Sequence, residues 1–265
     1  MLRDFPELGD RAVHVWPLHL EGFEDLPDWF HGILAPDEAE RAARFRFDHL
    51  RHKFTLHRVA LRILLGRYLG IGPAQVEFIY GSKGKPSLAG PSDLSFNASH
   101  SSLLALFAFT RGCEIGADVE HVRPMRDLEN IAARFFCPEE TAELMSITAP
   151  DRELAFFLCW TRKEAYIKAI GEGLSAPLDA FRVSLKPGDP VRFFHIGHDR
   201  DEAKAWALRS VTPHPRYAAA IAYRDSIRDV RLMPAVHVAD LVRIAAPIST
   251  AIKDYRISPT ERPPT

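Results

Sequence analysis

Apolar and polar positions alternate in several short stretches of the chain and recur at helical spacing in two long ones. Residues 11–20, RAVHVWPLHL, alternate and predict a first strand. Residues 50–69 carry leucines three and four positions apart, which predicts an amphipathic helix ending at Gly70. Residues 151–170 predict a second long helix, and Gly171 is placed to cap its C-terminus. Together these elements indicate a mixed chain, in which helices pair with small antiparallel sheets.

The shorter predicted elements divide the chain into similar halves. Pro36 and Pro138 each begin a helix, because proline and acidic residues suit a first helical turn. Further strands are predicted at 75–80, 103–110, 112–120, 181–185, 191–195, 204–211 and 217–222, the last four forming one antiparallel sheet. We therefore expect an N-terminal half at 1–111, a C-terminal half at 112–225 and an extension at 226–265. The extension is predicted to hold a strand and a short helix at 226–250 and a disordered end at 257–265, which contains three prolines.

Composition limits the classes of function. The 265 residues include 34 Lys and Arg against 35 Asp and Glu, which gives a net charge of -1. Neither nucleic acid nor an anionic membrane is an expected partner, so any phosphate site must be local. Three cysteines in apolar surroundings favour buried thiols in a reducing cytoplasm. No apolar run is long enough to span a bilayer, and the first residues lack the apolar core of a signal peptide.

Four charged residues, in two pairs, are candidates for a functional site. Asp118 and Glu120 lie two apart on a predicted strand, so they project from the same face and repel unless a cation lies between them. A hard divalent ion with oxygen ligands fits that position. The alternative is an edge strand with both acids in water. Glu164 and Lys168 lie four apart on the second long helix, where the alternative is a surface ion pair.

Three further segments contain groups that can bind phosphate. Residues 94–102 run from strand-like positions into small hydroxyls and one imidazole, including Ser99 and His100. Such a cluster can hold an anion, or it can be a helix-capping turn. Lys85 lies in a Gly-Lys-Pro turn, which is also typical of an exposed loop. Lys53 lies on the polar side of the first long helix, where the alternative is a solvated face.

Taken in order, these motifs resemble one known family. The chain is similar to the Sfp-type 4′-phosphopantetheinyl transferases over roughly residues 10 to 225. Five segments occur in the family's order: Gly84–Pro86, Phe96–Ser101, Ile115–Glu120, Phe135–Phe136 and Trp160–Lys168. Each segment is weak alone, but five in order and at similar spacing are specific.

The resemblance implies a fold, an activity and a site. The fold would be two similar α+β halves related by a pseudo-twofold axis, with coenzyme A in the cleft between them. The activity would be transfer of phosphopantetheine from coenzyme A to a serine of an acyl or peptidyl carrier protein. The implied Mg²⁺ ligands are Asp118, Glu120 and Glu164. The implied coenzyme A contacts are Arg44, Lys53, Lys85, Ser99, His100 and Lys168.

Within this resemblance, Glu164 is the candidate base for the serine proton and Lys168 the candidate contact of the pyrophosphate. The family has lysines just before the position of Arg44, whereas this chain has Asp37 and Glu40 in that region. Arg41 or Arg44 is therefore expected to take their place. The working unit is expected to be a monomer.

Two rival functions use the same residues. A Mg²⁺-dependent nuclease or phosphatase would hydrolyse its substrate with these acids. A non-catalytic coenzyme A binding or scaffold protein would bind the ligand with little dependence on the metal. The carrier protein, in turn, is predicted to contact Phe135, Phe136 and the residues after them, unless these rings belong to the core.

Overall fold

The computed structural model of the chain describes residues 5–21, 26–149, 151–173, 176–197, 199–225 and 228–252, with side chains up to residue 246. The helices in this part are α1 (Pro36–Ala43), α2 (Asp48–Leu69), α3 (Leu128–Phe135), α4 (Pro138–Met145), α5 (Asp151–Ile170), α6 (Arg200–Lys204) and α7 (Val238–Ile252). The strands are β1 (Ala12–His19), β2 (Phe78–Tyr80), β3 (Pro86–Leu88), β4 (Leu94–Ser101), β5 (Leu104–Arg111), β6 (Ile115–His121), β7 (Phe181–Val183), β8 (Phe193–Ile196), β9 (Ala207–Val211), β10 (Tyr217–Tyr223) and β11 (Asp229–Leu232). The predicted α+β class is confirmed. The predicted disorder at 257–265 lies outside the described residues.

Internal contacts divide the chain into two compact units. The sheet unit comprises Pro6–Glu21 and Glu77–Val236, and the helix unit comprises chiefly Gly22–Val76 and His237–Thr265. The predicted division at 111 and 225 follows the chain order instead and stays a prediction. The pseudo-twofold axis and the coenzyme A cleft also stay predictions. None of the helices in the described ranges is long and apolar enough to cross a membrane.

Two antiparallel arrays form the centre of the sheet unit. One sheet has the strand order β11-β1-β5-β4, in which only β11 runs parallel to its neighbour, and the other has the order β6-β10-β9. Buried aliphatic residues of both sheets form one hydrophobic cluster, which includes Val13, Leu106, Val119 and Ile221. Burial of this shared face holds the sheets together, since apolar burial is the main favourable term in folding.

Helix α5 packs against β6 and β10 over a second hydrophobic cluster. Gly116 allows this contact: a Cβ placed there would lie 2.0 Å from the carbonyl oxygen of Ala165 and 2.4 Å from the amide nitrogen of Ala169. Both atoms belong to the backbone of α5, so any larger residue would push the helix away. Gly171, with a φ of +76°, ends the helix as predicted.

The segment 181–222 differs from its prediction. It does not form one four-stranded sheet, because β7 and β8 pair only with each other while β9 and β10 join β6. Two short helices, α3 and α6, were not predicted, since neither is long enough to show a helical repeat. Residues 73–75 form a 3-10 helix, so the strand predicted at 75–80 begins only at Phe78.

The order of elements repeats along the chain. In the first repeat β1 is followed by α1, α2, the β2–β3 pair, β4 and β5, and the strands pair as β1-β5-β4. In the second repeat β6 is followed by α4, α5, the β7–β8 pair, β9 and β10, and the strands pair as β6-β10-β9. The two repeats therefore share one connectivity, apart from the inserted α3 and α6.

A buried ion pair in the first repeat links α1 to α2. Glu38 is the third residue of α1 and accepts a hydrogen bond from the amide of Ala35 just before the helix. Arg62 of α2 donates Nε to Glu38 Oε2 at 2.6 Å and Nη1 to the carbonyl of Val76 at 2.6 Å. The Arg62 guanidinium thereby connects the start of α1 to the segment that follows α2.

The second repeat contains a matching pair. Glu140 is the third residue of α4 and accepts from the amide of Cys137 just before the helix. Lys163 of α5 lies 2.7 Å from Glu140 Oε2 and donates to the carbonyls of Leu178 and Phe181. Both pairs are buried, and each joins the start of a short helix to the segment after the following long helix. The two ion pairs therefore occupy equivalent positions in the two repeats.

Candidate active site

The hydroxyl cluster of the sequence continues as strand β4, so the helix-capping alternative is excluded. Asn97, Ser99 and Ser101 alternate along the strand and therefore share one face. That face is turned to β6, which belongs to the other sheet. The amide of Ala117 donates to Asn97 Oδ1 at 2.9 Å, which ties the two strands together where they enter the site.

The two serines of this face hold the two acids of β6. Ser99 Oγ donates to Asp118 Oδ1 at 2.8 Å, and Ser101 Oγ donates to Glu120 Oε2 at 2.7 Å. Asp118 is only 4% exposed, whereas the side chain of Glu120 is 26% exposed. The alternative of an edge strand with both acids in water therefore fails for Asp118.

Lys168 reaches the same place from α5. Its Nζ lies 2.5 Å from Asp118 Oδ1 and 2.9 Å from Ser99 Oγ. One ammonium group thus joins β4, β6 and α5. The alternative of a surface ion pair with Glu164 therefore fails, because Lys168 forms a partly buried pair with Asp118.

Glu164 is 8% exposed and lies near both acids of β6. Burial raises the pKa of Glu164 to about 7, the negative charges of Asp118 and Glu120 add to the rise, and Lys168 opposes it. Glu164 Oε1 and Asp118 Oδ2 are buried and have no hydrogen-bond partner. A buried carboxylate oxygen without a partner is unfavourable, so this arrangement favours a bound cation.

The carboxylate oxygens near Asp118 include candidate ligands for the implied Mg²⁺. Carboxylate oxygens are the ligands that this ion prefers, and the two unpartnered oxygens fit it. In the part of the chain that the structure describes, however, no three His, Cys, Asp or Glu side chains are grouped closely enough to hold an ion as they stand. Lys168 occupies Asp118 Oδ1 in this arrangement. The three-acid metal site therefore stays a prediction.

The other candidate residues of the sheet unit lie apart from this cluster. Lys85 donates Nζ to the carbonyl of Ala169 at 2.6 Å, and that of Ile115 lies at 3.4 Å, so it holds the C-terminal end of α5 to the start of β6. Burial lowers the pKa of Lys85, against the opposing charge of Glu114. His100 is exposed and directly follows Ser99 on β4, so the two side chains project from opposite faces of the strand. Their predicted contacts with coenzyme A stay predictions.

Two predicted contacts of coenzyme A belong to the helix unit. Arg44 is exposed and lies 2.5 Å from Glu40, and Lys53 is half-buried on α2. Their roles also stay predictions. Of the rings proposed to meet the carrier, Phe136 is buried in the core beneath α5, and Phe135 packs edge-on against Trp160.

The sequence interpretation missed the roles of Asn97 and Ser101. Both were visible as small polar residues alternating with Ser99 on what proved to be a strand. The signal was hidden because the serine-rich end was also typical of a turn. Gly116 was missed as well, since nothing local to a strand shows which helix will lie above it.

Comparison with known proteins places these residues in a wider context. A family model described as the 4′-phosphopantetheinyl transferase superfamily matches residues 114–222, which include both acids of β6 and the whole of α5. The 4′-phosphopantetheinyl transferase HetI of Nostoc sp. is 41% identical over 213 residues, covering 79% of this chain and 86% of that protein. The 4′-phosphopantetheinyl transferase Sfp of Bacillus subtilis is 33% identical over 205 residues, covering 77% of this chain and 89% of that protein.

Among solved structures, the holo-[acyl-carrier-protein] synthase of Thermotoga maritima aligns with a TM-score of 0.33 and 19% identity. The alignment covers 43% of this chain and 64% of that one.

Proposed function

Because the chain belongs to the 4′-phosphopantetheinyl transferase superfamily, we propose that it transfers phosphopantetheine from coenzyme A to a serine of an acyl or peptidyl carrier protein. The observation that supports this reaction is the meeting of Ser99, Asp118 and Lys168 beside the buried Glu164. We also infer that Asp118, Glu120 and Glu164 hold Mg²⁺ and that coenzyme A is the co-substrate. The protein is inferred to act as a monomer in the cytoplasm.

The reaction requires that a serine oxygen of the carrier attack phosphorus in the pyrophosphate of coenzyme A. The bond to 3′,5′-ADP breaks, and the serine proton must go to a base. When bound, Mg²⁺ supplies neutralising charge at the pyrophosphate. Such phosphoryl transfers rely on positioning and charge more than on covalent catalysis by the protein.

The residues of this chain have separable tasks. Lys168 places an ammonium charge beside Asp118, where it would meet the pyrophosphate and the charge that develops on the leaving group. Glu164 is the candidate base, because its buried Oε1 has no hydrogen-bond partner and could accept a proton. Ser99 links Asp118 to Lys168 and so keeps the acid and the ammonium in register.

The proposal is tested with purified protein, coenzyme A, Mg²⁺ and an apo carrier protein. Mass spectrometry of the intact carrier should show the gain of one phosphopantetheine group. Asp118→Ala and Glu164→Gln should abolish the gain while the circular dichroism spectrum stays that of the folded protein. Lys204→Ala, which removes an exposed charge at the end of α6, is the control and should keep full activity.

The rival functions give different results in the same assay. Hydrolysis of coenzyme A without modification of the carrier would support a phosphatase. Binding of coenzyme A that is unchanged by EDTA and by Glu120→Ala, without any transfer, would support a scaffold. Near wild-type transfer by Asp118→Ala or Glu164→Gln would exclude the assigned metal ligands.

A further inference from the structure

Each acid of β6 has one oxygen held by a serine of β4. Asp118 Oδ1 accepts from Ser99, and Glu120 Oε2 accepts from Ser101. The other oxygen of Asp118 has no hydrogen-bond partner, and among the described residues no hydrogen bond engages Glu120 Oε1. The two strands thus present two carboxylates in the same way, with one oxygen fixed and one left for another ligand.

The direction of the Ser101 hydroxyl is settled by its surroundings. Its Oγ accepts from the backbone amide of His121 at 3.2 Å, so the hydroxyl proton points away from that amide and to Glu120. The backbone at this position is fixed as well, because Ser101 pairs with Leu104 across the tight β4–β5 connection. Ser101 is therefore a donor with one orientation.

Glu120 needs such a donor more than Asp118 does. Its side chain is longer and more exposed, and it has no partner like the Lys168 that pairs with Asp118. Arg123, the cation in its salt bridge, is exposed and lies 3.7 Å from Oε2, too far for a good hydrogen bond. Without the hydroxyl, Glu120 would be free to turn to Arg123 and to solvent.

We propose that Ser101 is a positioning residue, whose hydroxyl fixes the carboxylate of Glu120 so that the free oxygen serves Mg²⁺. The inference rests on the proposed function, since it assumes that Glu120 is a metal ligand. Groups that hydrogen-bond a metal ligand commonly change metal affinity by about 10- to 100-fold when removed. Ser101 would act in this way, through Glu120 and without touching the ion.

The experiment is calorimetric titration of Mg²⁺ into the full chain saturated with coenzyme A, without carrier protein. Ser101→Ala should weaken Mg²⁺ binding about 10-fold or more. Ser101→Thr, which keeps the hydroxyl, should restore most of the affinity. The control is Ser146→Ala, because Ser146 is an exposed serine that donates to a backbone carbonyl at the end of α4. It should bind Mg²⁺ like the wild type.

A purely structural role for Ser101 predicts a different pattern. Ser101→Ala would then lower the melting temperature of the metal-free protein and leave Mg²⁺ affinity unchanged, which would overturn the inference. If Ser101→Ala does not fold, Ser101→Cys replaces it, since a thiol keeps the volume but is a weak donor. Wild-type affinity in folded Ser101→Cys would likewise overturn the inference.

Failure of the metal site itself is recognised by a separate variant. If Glu120→Ala loses Mg²⁺ binding while Ser101→Ala keeps it, only the positioning role is wrong. If Glu120→Ala binds Mg²⁺ like the wild type, the metal assignment of the proposed function is wrong, and the role of Ser101 with it.

Discussion

Lys163 and Glu164 are neighbours on α5 with opposite environments. Lys163 is fully buried and completely engaged by Glu140 and two backbone carbonyls. Glu164 is almost as buried, yet one of its oxygens has no partner. The first residue stabilises the fold, and the second is left in an unfavourable state that protonation or a bound cation would relieve.

The buried pair leads to a prediction of stability. Lys163→Met should lower the free energy of unfolding by about 3 kcal/mol, because it leaves the carboxylate of Glu140 buried without its cation. Urea denaturation measures the change. The matched control is Lys204→Met at an exposed pair with Asp201, where no measurable change is expected. A Lys163→Met protein as stable as the control would contradict a structural role for the pair.

The chemistry of single residues was predictable from the sequence where spacing restricted it. Two acids two apart on a strand had to share a face, and Asp118 and Glu120 do. The partner of Lys168 was not predictable, because Asp118 is far away in the sequence, whereas spacing along the helix pointed only to a possible pair with Glu164. The serines of β4 show the same limit, since their roles depend on which strand lies opposite.

The site depends on how closely α5 approaches β6. Gly116 leaves room for the backbone of the helix at Ala165 and Ala169. Lys85 holds the C-terminal end of the same helix. These contacts fix the distance between the acids of β6 and the charged residues of α5, although neither Gly116 nor the helix backbone carries any chemistry.

A single methyl group should disturb this distance. Gly116→Ala places a Cβ against helix backbone, which cannot rotate away, so α5 must shift. We expect a loss of stability of about 1 to 3 kcal/mol, as for overpacked cores, together with a marked loss of transfer activity. Thermal melting and the carrier mass assay measure the two effects.

Gly32→Ala is the control for this substitution, because a Cβ at Gly32 would meet nothing within 4 Å. That variant should keep wild-type stability and transfer activity. Equal behaviour of the two alanine variants would show that the close contact at β6 does not position the site.

The long elements were predictable because their apolar spacing repeats several times, as in α2 and α5. Pairing among strands was not, because the partner of β6 is β10, about a hundred residues farther along the chain. Local pattern identifies a strand but does not identify its neighbour, which explains why one sheet was expected in 181–222 where the structure has parts of two.

At the scale of the whole molecule, the segment after residue 225 belongs to both compact units. β11 runs parallel to β1 at the edge of the larger sheet, and Arg228 donates to the carbonyls of Asp10 and Arg111. Farther along, α7 packs against α2 in the helix unit. The described part of the extension, residues 228–252, therefore packs into the two units and is not an appendage.

Removal of this segment should destabilise the protein. A chain that ends at Asp225 loses the buried Val236 and Leu241, which together contribute about 4 kcal/mol. For a protein of this size the melting temperature should fall by about 10 °C. Scanning calorimetry tests this, with Arg243→Ala on the exposed side of α7 as a control that should melt like the full chain. A truncated chain with unchanged melting would contradict the structural role of the extension.

The matching ion pairs of the two repeats bear on the number of metal ions that the proposed site predicts. In the second repeat the lysine of the pair is followed by Glu164, whereas in the first repeat Arg62 is followed by the fully buried Ile63. The two repeats share the buried ion pair but differ at the next position. Only the second repeat therefore carries the acid proposed as a metal ligand at this position, so the proposed site predicts one ion per polypeptide and a hyperbolic Mg²⁺ titration.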